Sequence, residues 1–321
     1  MSSTLKSLAV CCLVLLLHPF VLCAGKSSGK MFGISVSPDG KVLAVTFVKD
    51  KVFRIYRIAA DTGEASRFTE ATTGEELGPV FSPDGKLIAY SYVPENEHQR
   101  IIVMNVDGSN PRSLAESGTA NLDATFAPDG RTIYFRRSQP PPHYHEWDIF
   151  SMQLDGSNIK QFTHEGFYET SQPSLSPDGK NLVMMTEGMN TSERIAVYSL
   201  DHPEKPPLLL RPRLPKGSSN DPIYVNPQYL PDGKSILFMA ASNGKSGYDY
   251  DVYRLDLASG NLERLTSGNG FANDLCVFPD GKTAVFQKWH SDWHRTPVDG
   301  ELYLLDLQSR KVTPFRVNGL N

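Results

Sequence analysis

Ser37-Pro38-Asp39-Gly40-Lys41 is followed at once by Val42-Leu43-Ala44-Val45, and this coupling of a turn phrase to an apolar run recurs along the whole chain. The phrase returns as Ser82-Pro83-Asp84-Gly85-Lys86, Ala127-Pro128-Asp129-Gly130-Arg131, Ser176-Pro177-Asp178-Gly179-Lys180, Leu230-Pro231-Asp232-Gly233-Lys234 and Phe278-Pro279-Asp280-Gly281-Lys282. Successive turn aspartates are 45, 45, 49, 54 and 48 residues apart. A period in this range is the mark of a repeat architecture, in which each unit buries its apolar faces only against its neighbours.

The phrase has a mechanical meaning. Serine suits the first position of a type I turn, proline presets φ at the second, and aspartate is favoured close by. Glycine then takes the left-handed position that closes a three-residue hairpin loop. Behind each turn lies a short, nearly continuous apolar run, as in Leu87-Ile88-Ala89-Tyr90, Leu182-Val183-Met184-Met185 and Ile236-Leu237-Phe238-Met239. Runs of this kind are strands covered on both faces.

A third strand follows in each repeat, for example Phe53-Arg54-Ile55-Tyr56 or Val252-Tyr253-Arg254-Leu255. Turns such as Asp107-Gly108-Ser109-Asn110 then lead to a fourth strand, closing on phrases like Arg264-Leu265-Thr266. Four strands per repeat, no helical periodicity and two covered faces are satisfied together by radial stacking of sheets. The predicted fold is all-β, a six-bladed β-propeller of four-stranded antiparallel blades.

The six turns in register, each with its apolar strand and Leu-Thr-like close, resemble the repeats of TolB-like (WD40-like) propellers. The resemblance covers essentially the whole chain after residue 24. It implies the fold, and as functions it implies extracytoplasmic binding or, in related propellers, peptidase or lyase activity. Full TolB proteins also carry an α/β domain before the propeller, whereas only Gly25 to Lys30 separate the apolar leader from the first strand here.

That leader combines Lys6 with a mostly apolar run from Leu8 to Cys23, and small residues stand at the cleavage point. Residues 1–24 are expected to be a signal peptide and 25–321 the propeller, placing the protein in the periplasm or outside the cell. His18 and Pro19 interrupt the run and a polar stretch follows it, so no membrane span is expected after cleavage. Cys11, Cys12 and Cys23 fall within the leader, which leaves Cys276 with no internal disulfide partner. Its apolar context, Leu275-Cys276-Val277-Phe278, reads as a small buried hydrophobe without a catalytic role. The net charge of -4 and the lack of a Lys/Arg cluster argue against nucleic acid as a partner.

Numbering the strands of each blade from the inside out places the Pro-Asp-Gly turns and the third-to-fourth strand turns at one end of the ring. The remaining loops share the other end and carry nearly all the irregular sequence, which is where function sits on a rigid scaffold. Two of them stand out: His143, Tyr144, His145 and Trp147 in blade three, and Trp289, His290, Trp293 and His294 in blade six, the opposite blade. They are expected to flank the channel mouth as stacking surfaces and imidazoles for a ligand. The competing reading makes them caps on neighbouring blades and incidental surface residues.

The innermost strands should line the channel. Counting back five residues from each turn proline gives Gly33, Gly78, Asp123, Gln172, Asn226 and Asp274, a polar set in apolar strands. Coordination of a cation, capture of a basic peptide tip and plain solvation of the channel are three readings of that ring. No catalytic residue is assigned, because the Gly-x-Ser-x-Gly elbow is absent and no hydrolase domain fits the length. The expected function is therefore a binding or interaction module for an envelope protein, peptide or glycan, with no cofactor. The alternative is a lyase of acidic oligosaccharides resembling oligogalacturonate lyase, which needs a divalent metal ion and histidines.

Overall fold

The Ser-Pro-Asp-Gly phrase folds as its chemistry dictates. Ser37 Oγ donates to Asp39 Oδ1 at 2.6 Å while accepting the N–H of Val42 at 2.9 Å, and the N–H of Gly40 donates to Ser37 O at 2.8 Å. The same arrangement recurs around Ser82 and Ser176. In blades three and six Ala127 and Phe278 replace the serine. There Thr132 and Thr283 supply the hydroxyl, each donating to its turn aspartate at 3.1 Å. These bonds stabilise the charged carboxylates, and Asp39, Asp84 and Asp178 titrate below their ordinary range because the serine hydroxyl donates to them.

The computed structural model describes residues 30–320 except 96, 115–117, 141–145, 168, 171–172, 188–193, 215–222, 243–248, 269–270 and 290–299. Blade one comprises β1 (Lys30–Val36), β2 (Val42–Lys49), β3 (Val52–Ala59) and β4 (Ala65–Arg67). Blade two comprises β5 (Glu75–Phe81), β6 (Leu87–Val93), β7 (Arg100–Asn105) and β8 (Arg112–Leu114). Blade three is β9 (Asn121–Phe126), β10 (Thr132–Ser138), β11 (Trp147–Gln153) and β12 (Lys160–Gln161).

In blade four the inner strand comes in two pieces, β13 (Glu169–Thr170) and β14 (Ser174–Leu175), both pairing with β15 (Asn181–Glu187), which continues to β16 (Arg194–Ser199) and β17 (Leu208–Leu210). Blade five holds β18 (Tyr224–Tyr229), β19 (Ser235–Ser242), β20 (Asp249–Asp256) and β21 (Leu262–Arg264). Blade six holds β22 (Phe271–Val277), β23 (Thr283–Trp289), β24 (Gly300–Asp306) and β25 (Val312–Phe315). Every sheet is antiparallel and built from consecutive strands, so each repeat is one complete blade; no helix occurs among the described residues.

The core lies between blades. Val183 and Ile195 of blade four pack on Tyr224, Ile236, Phe238 and Tyr253 of blade five, all buried, with Phe238 stacked on Tyr253 at 5.7 Å between ring centroids. Each such side chain removed from water is worth about 1.5–3 kcal/mol. Inner strands of adjacent blades make side chain to backbone bonds: the N–H groups of Phe81, Tyr229 and Val277 donate at 3.3 Å to Ser35 Oγ, Ser174 Oγ and Gln228 Oε1.

The Leu-Thr close also has a structural task. In blade three Thr163 Oγ1 accepts the N–H of Ile149 at 2.9 Å and donates to Asp148 Oδ1 at 2.7 Å, and Thr266 does the same for Val252 and Asp251 in blade five. Blade one has Arg54 at the position of these aspartates, and Glu76 of the next blade provides the carboxylate for Thr69. Burial pushes Glu76 above the ordinary range.

Candidate functional site

Five of the six positions expected to line the channel share one backbone device. Gly33, Gly78, Asp123, Asn226 and Asp274 all adopt left-handed backbone, with φ of 60°, 56°, 53°, 50° and 50°. Each sits where its inner strand slips register against the second strand of the blade, the signature of a β-bulge. Gln172 lies outside the described residues. Glycine, asparagine and aspartate are the residues that tolerate this conformation, so backbone geometry accounts for much of the polar set.

A bulge frees an N–H, and the structure shows what meets it. The N–H of Gly78 donates to Thr46 Oγ1 and that of Asp123 to Ser91 Oγ, both at 3.1 Å and both from the preceding blade. Thr46 and Ser91 are the seventh residues after their turn aspartates. The same count gives Arg136, Met185, Met239 and Gln287 in the other blades. Arg136 and Gln287, in blades three and six, are therefore the residues directed at a bulge with more than a hydroxyl.

Arg136 is buried and sits against three groups. Its Nε lies 2.6 Å from Asp123 Oδ2, its Nη1–H donates to Thr170 O at 2.8 Å, and its guanidinium stands 4.7 Å from the ring centroid of Trp147. Trp147 opens β11, half-buried, and exchanges backbone hydrogen bonds with Phe167. Its ring thus lies against the Arg136 guanidinium.

Gln287 is fully buried, and among the described residues neither its Oε1 nor its Nε2 has a hydrogen-bond partner. Its counterparts reach the next bulge, which for blade six is Gly33 of blade one. The Gly33 N–H instead donates to Asp274, whose Oδ2 is shut off from solvent and likewise has no partner among the described residues. Burial, and after it the Asp123 carboxylate, push Asp274 up to about 6. The two carboxylates feel one another because Gly33 and Gly78 between them carry no side chain: a Cβ on Gly33 would lie 3.0 Å from Gly78 Cα.

The bulges thus hold one carboxylate paired with a cation, Asp123, and one, Asp274, whose Oδ2 is unpaired among the described residues, as is the carboxamide of Gln287. Leaving such buried groups unmatched costs about 1–3 kcal/mol each. Counting residues from the turn aspartates could have singled out Arg136 and Gln287; reading the inner strands alone does not.

Of the long-loop aromatics, Trp147 and Trp289 lie at the same end of blades three and six, Trp289 closing β23 opposite Gly300. His143, Tyr144, His145, His290, Trp293 and His294 lie outside the described residues. Among the described residues no group of three or more His, Cys, Asp or Glu side chains is placed to hold a metal ion. Cys276 is partly buried, and burial pushes its thiol up to about 11, which keeps it protonated and unreactive.

Comparison with known proteins follows the same lines. The family profile described as "TolB beta propeller domain" matches residues 24–208. Among curated proteins the chain is similar to "Protein TolB homolog" of Chlorobium chlorochromatii, 28% identical over 139 residues, which is 43% of this chain and 28% of that protein. It is also similar to "Tol-Pal system protein TolB" of Francisella tularensis, 27% identical over 102 residues, or 31% of this chain and 21% of that one. The chain therefore spans less than a third of the length of these relatives in the matched region. Among solved structures, TolB from Acinetobacter baumannii superposes with a TM-score of 0.62 at 19% identity, over 88% of this chain and 63% of that one. An oligogalacturonate lyase in complex with manganese superposes with a TM-score of 0.59 at 15% identity, over 87% and 74%. At these identities both likenesses speak for the fold alone.

Proposed function

Because the chain belongs to the TolB beta propeller domain family, we propose that it is an extracytoplasmic interaction module that receives a protein, peptide or glycan at the long-loop end of its central channel. The observation that carries this reading is the unmatched polar pair at the neck, Asp274 Oδ2 and Gln287. Asp274 is only partly buried as a residue, so a donor group entering from the channel mouth meets a carboxylate that Arg136 does not offset, and drawing it onto Oδ2 would supply the partner this atom lacks among the described residues. Asp123 has already been committed to Arg136, so the demand is local to the seam of blades six and one.

The apolar leader and the similarity to a Tol-Pal system protein favour an envelope setting, with an envelope protein as the first partner to seek. Site-specific photocrosslinking in intact cells tests both the role and the face. Crosslinkers at Glu95 and Ser267, exposed at the long-loop end, should trap one discrete partner, whereas crosslinkers at Lys86 and Lys180 on the turn end should not. Equal trapping from both ends, or trapping that persists undiminished in Asp274→Asn, would overturn the proposal.

A further inference from the structure

The six outermost strands occupy equivalent places, and one departs from the rest. β4, β8, β12 and β21 present polar or charged residues to solvent, among them Ser66, Arg67, Arg112 and Lys160, and β25 mixes Thr313 and Pro314 with apolar residues. β17 is Leu208-Leu209-Leu210, with Leu208 61% and Leu209 57% exposed, the two most exposed large hydrophobic side chains among the described residues. Its outer edge is the end of the blade-four sheet, with β16 on its other side in the register Ala196 to Leu209. Neighbouring leucines both open to water on a strand edge that no described strand pairs are what proteins ordinarily avoid, because such an edge pairs with other chains.

We propose that β17 and the cleft beside it form a docking surface for an extended, apolar segment of a partner protein flanked by acidic residues, added to blade four as a fifth strand. Three observations select this occupant. The run from Lys205 to Arg213 contains three cations and no acid, so carboxylates on either side of the apolar centre are complemented. A cleft of about 350 Å³ opens between blades four and five, its apolar wall made by Val197, Leu210, Tyr229, Leu255 and Leu257, with Arg211 and Asp256 also on its lining. It is a recess for an inserting side chain, in keeping with strand addition, where backbone pairing gives affinity and side-chain pockets give specificity. Pro206, Pro207 and Pro212 bracket the strand and confine pairing to a short register.

A second copy of the chain fits poorly. Antiparallel pairing about Leu208 sets Arg211 opposite Lys205 of the other copy, and pairing about Leu209 sets Arg213 there, and like charges directly opposite destabilise a sheet. A lipid surface would use the protruding leucines and leave the recess empty.

The test is selection of phage-displayed random dodecapeptides on the purified chain, with the Leu208→Ser/Leu209→Ser double variant as counter-target. Enriched sequences should carry alternating apolar residues with Asp or Glu at the flanks. A labelled synthetic copy of the strongest should bind the double variant at least tenfold more weakly by fluorescence anisotropy, and weaken as salt rises. The substitutions are on exposed positions, so an unchanged thermal melt shows that the variant is folded. Binding should be indifferent to Asp274→Asn, which separates this surface from the channel neck. Peptides that hold the double variant equally well would sink the proposal. So would leucine-dependent flotation with phosphatidylglycerol vesicles, or a leucine-dependent dimer by light scattering, in the absence of peptide selection.

Discussion

Asp274 illustrates how a single residue can be fixed by two demands at once. Its left-handed φ of 50° restricts the position to the few residue types that accept that backbone, and its carboxylate then takes the Gly33 N–H while leaving Oδ2 unmatched. The folded group titrates near 6, above the ordinary 3.8, so the native state holds a proton that the unfolded state gives up as pH rises between those values. Stability should therefore fall as pH rises through that window and level off above about pH 6, by up to ~3 kcal/mol from this group. Asp274→Asn keeps an acceptor for Gly33 and removes the charge. It is expected to raise the melting temperature by several degrees at pH 7.5 and to leave it nearly unchanged at pH 4; equal shifts at both values would show that the carboxylate is not strained in this way. The same variant weakens partner capture under the channel proposal, so gain of stability and loss of binding should appear together.

At the scale of the element, the bulged inner strand determines what the channel presents. Gly33 and Gly78 let blades one and two approach with backbone on backbone, and a methyl group at Gly33 meets both a positive φ and Gly78 Cα at 3.0 Å. Gly130, in the turn of blade three, has a positive φ of 65° and open space around its Cβ direction. Gly130→Ala should cost about 1–2 kcal/mol from the backbone alone, and Gly33→Ala a further ~1–3 kcal/mol for crowding between blades. Urea denaturation of the two variants measures the difference; similar midpoints would mean that the blade-one and blade-two contact is compliant. This contrast also shows how far the sequence can be read. The turns, the strand order and the ring of six channel positions follow from residue types whose conformational preferences are local. The partners of those positions do not, because Arg136 and Gln287 follow apolar runs of the second strand, and nothing in those runs says that Arg136 meets Asp123 and Thr170 O or that Gln287 is buried unpaired among the described residues. The place of Trp147 over Arg136 was equally open, since its loop context reads either as an exposed anchor or as a cap, and the hairpin pairing of β10 with β11 decides which residue its ring meets.

For the molecule as a whole the decisive seam is the one between blades six and one, where neither neighbour is supplied by the next stretch of chain. The residues after β25 bridge it. The N–H of Ala65 donates to Asn318 O at 2.8 Å, that of Asn318 donates to Gly63 O at 2.9 Å, and Asn318 pairs in parallel with Glu64. Val317 and Leu320 pack against the core cluster that joins Leu43, Val45 and Ile58 of blade one to Val285 and Leu302 of blade six. A ring of repeats gains cooperativity from this closure, since without it each blade contacts only its neighbours along the chain. Chain ending after Phe315 should therefore lose more than the local burial of two side chains, roughly 1–3 kcal/mol. Its inner strands at the seam lose their fixed spacing, and with it the alignment of Gly33 against Asp274. Hydrogen exchange should accelerate at Gly33, Ala65 and the amides of β22 and remain slow in blades three and four, while the pH dependence assigned to Asp274 flattens as its buried carboxylate regains water. Uniform acceleration across all blades would instead mean that the tail holds the fold as a whole, and unchanged exchange at Ala65 would mean that blades six and one close the ring by packing alone.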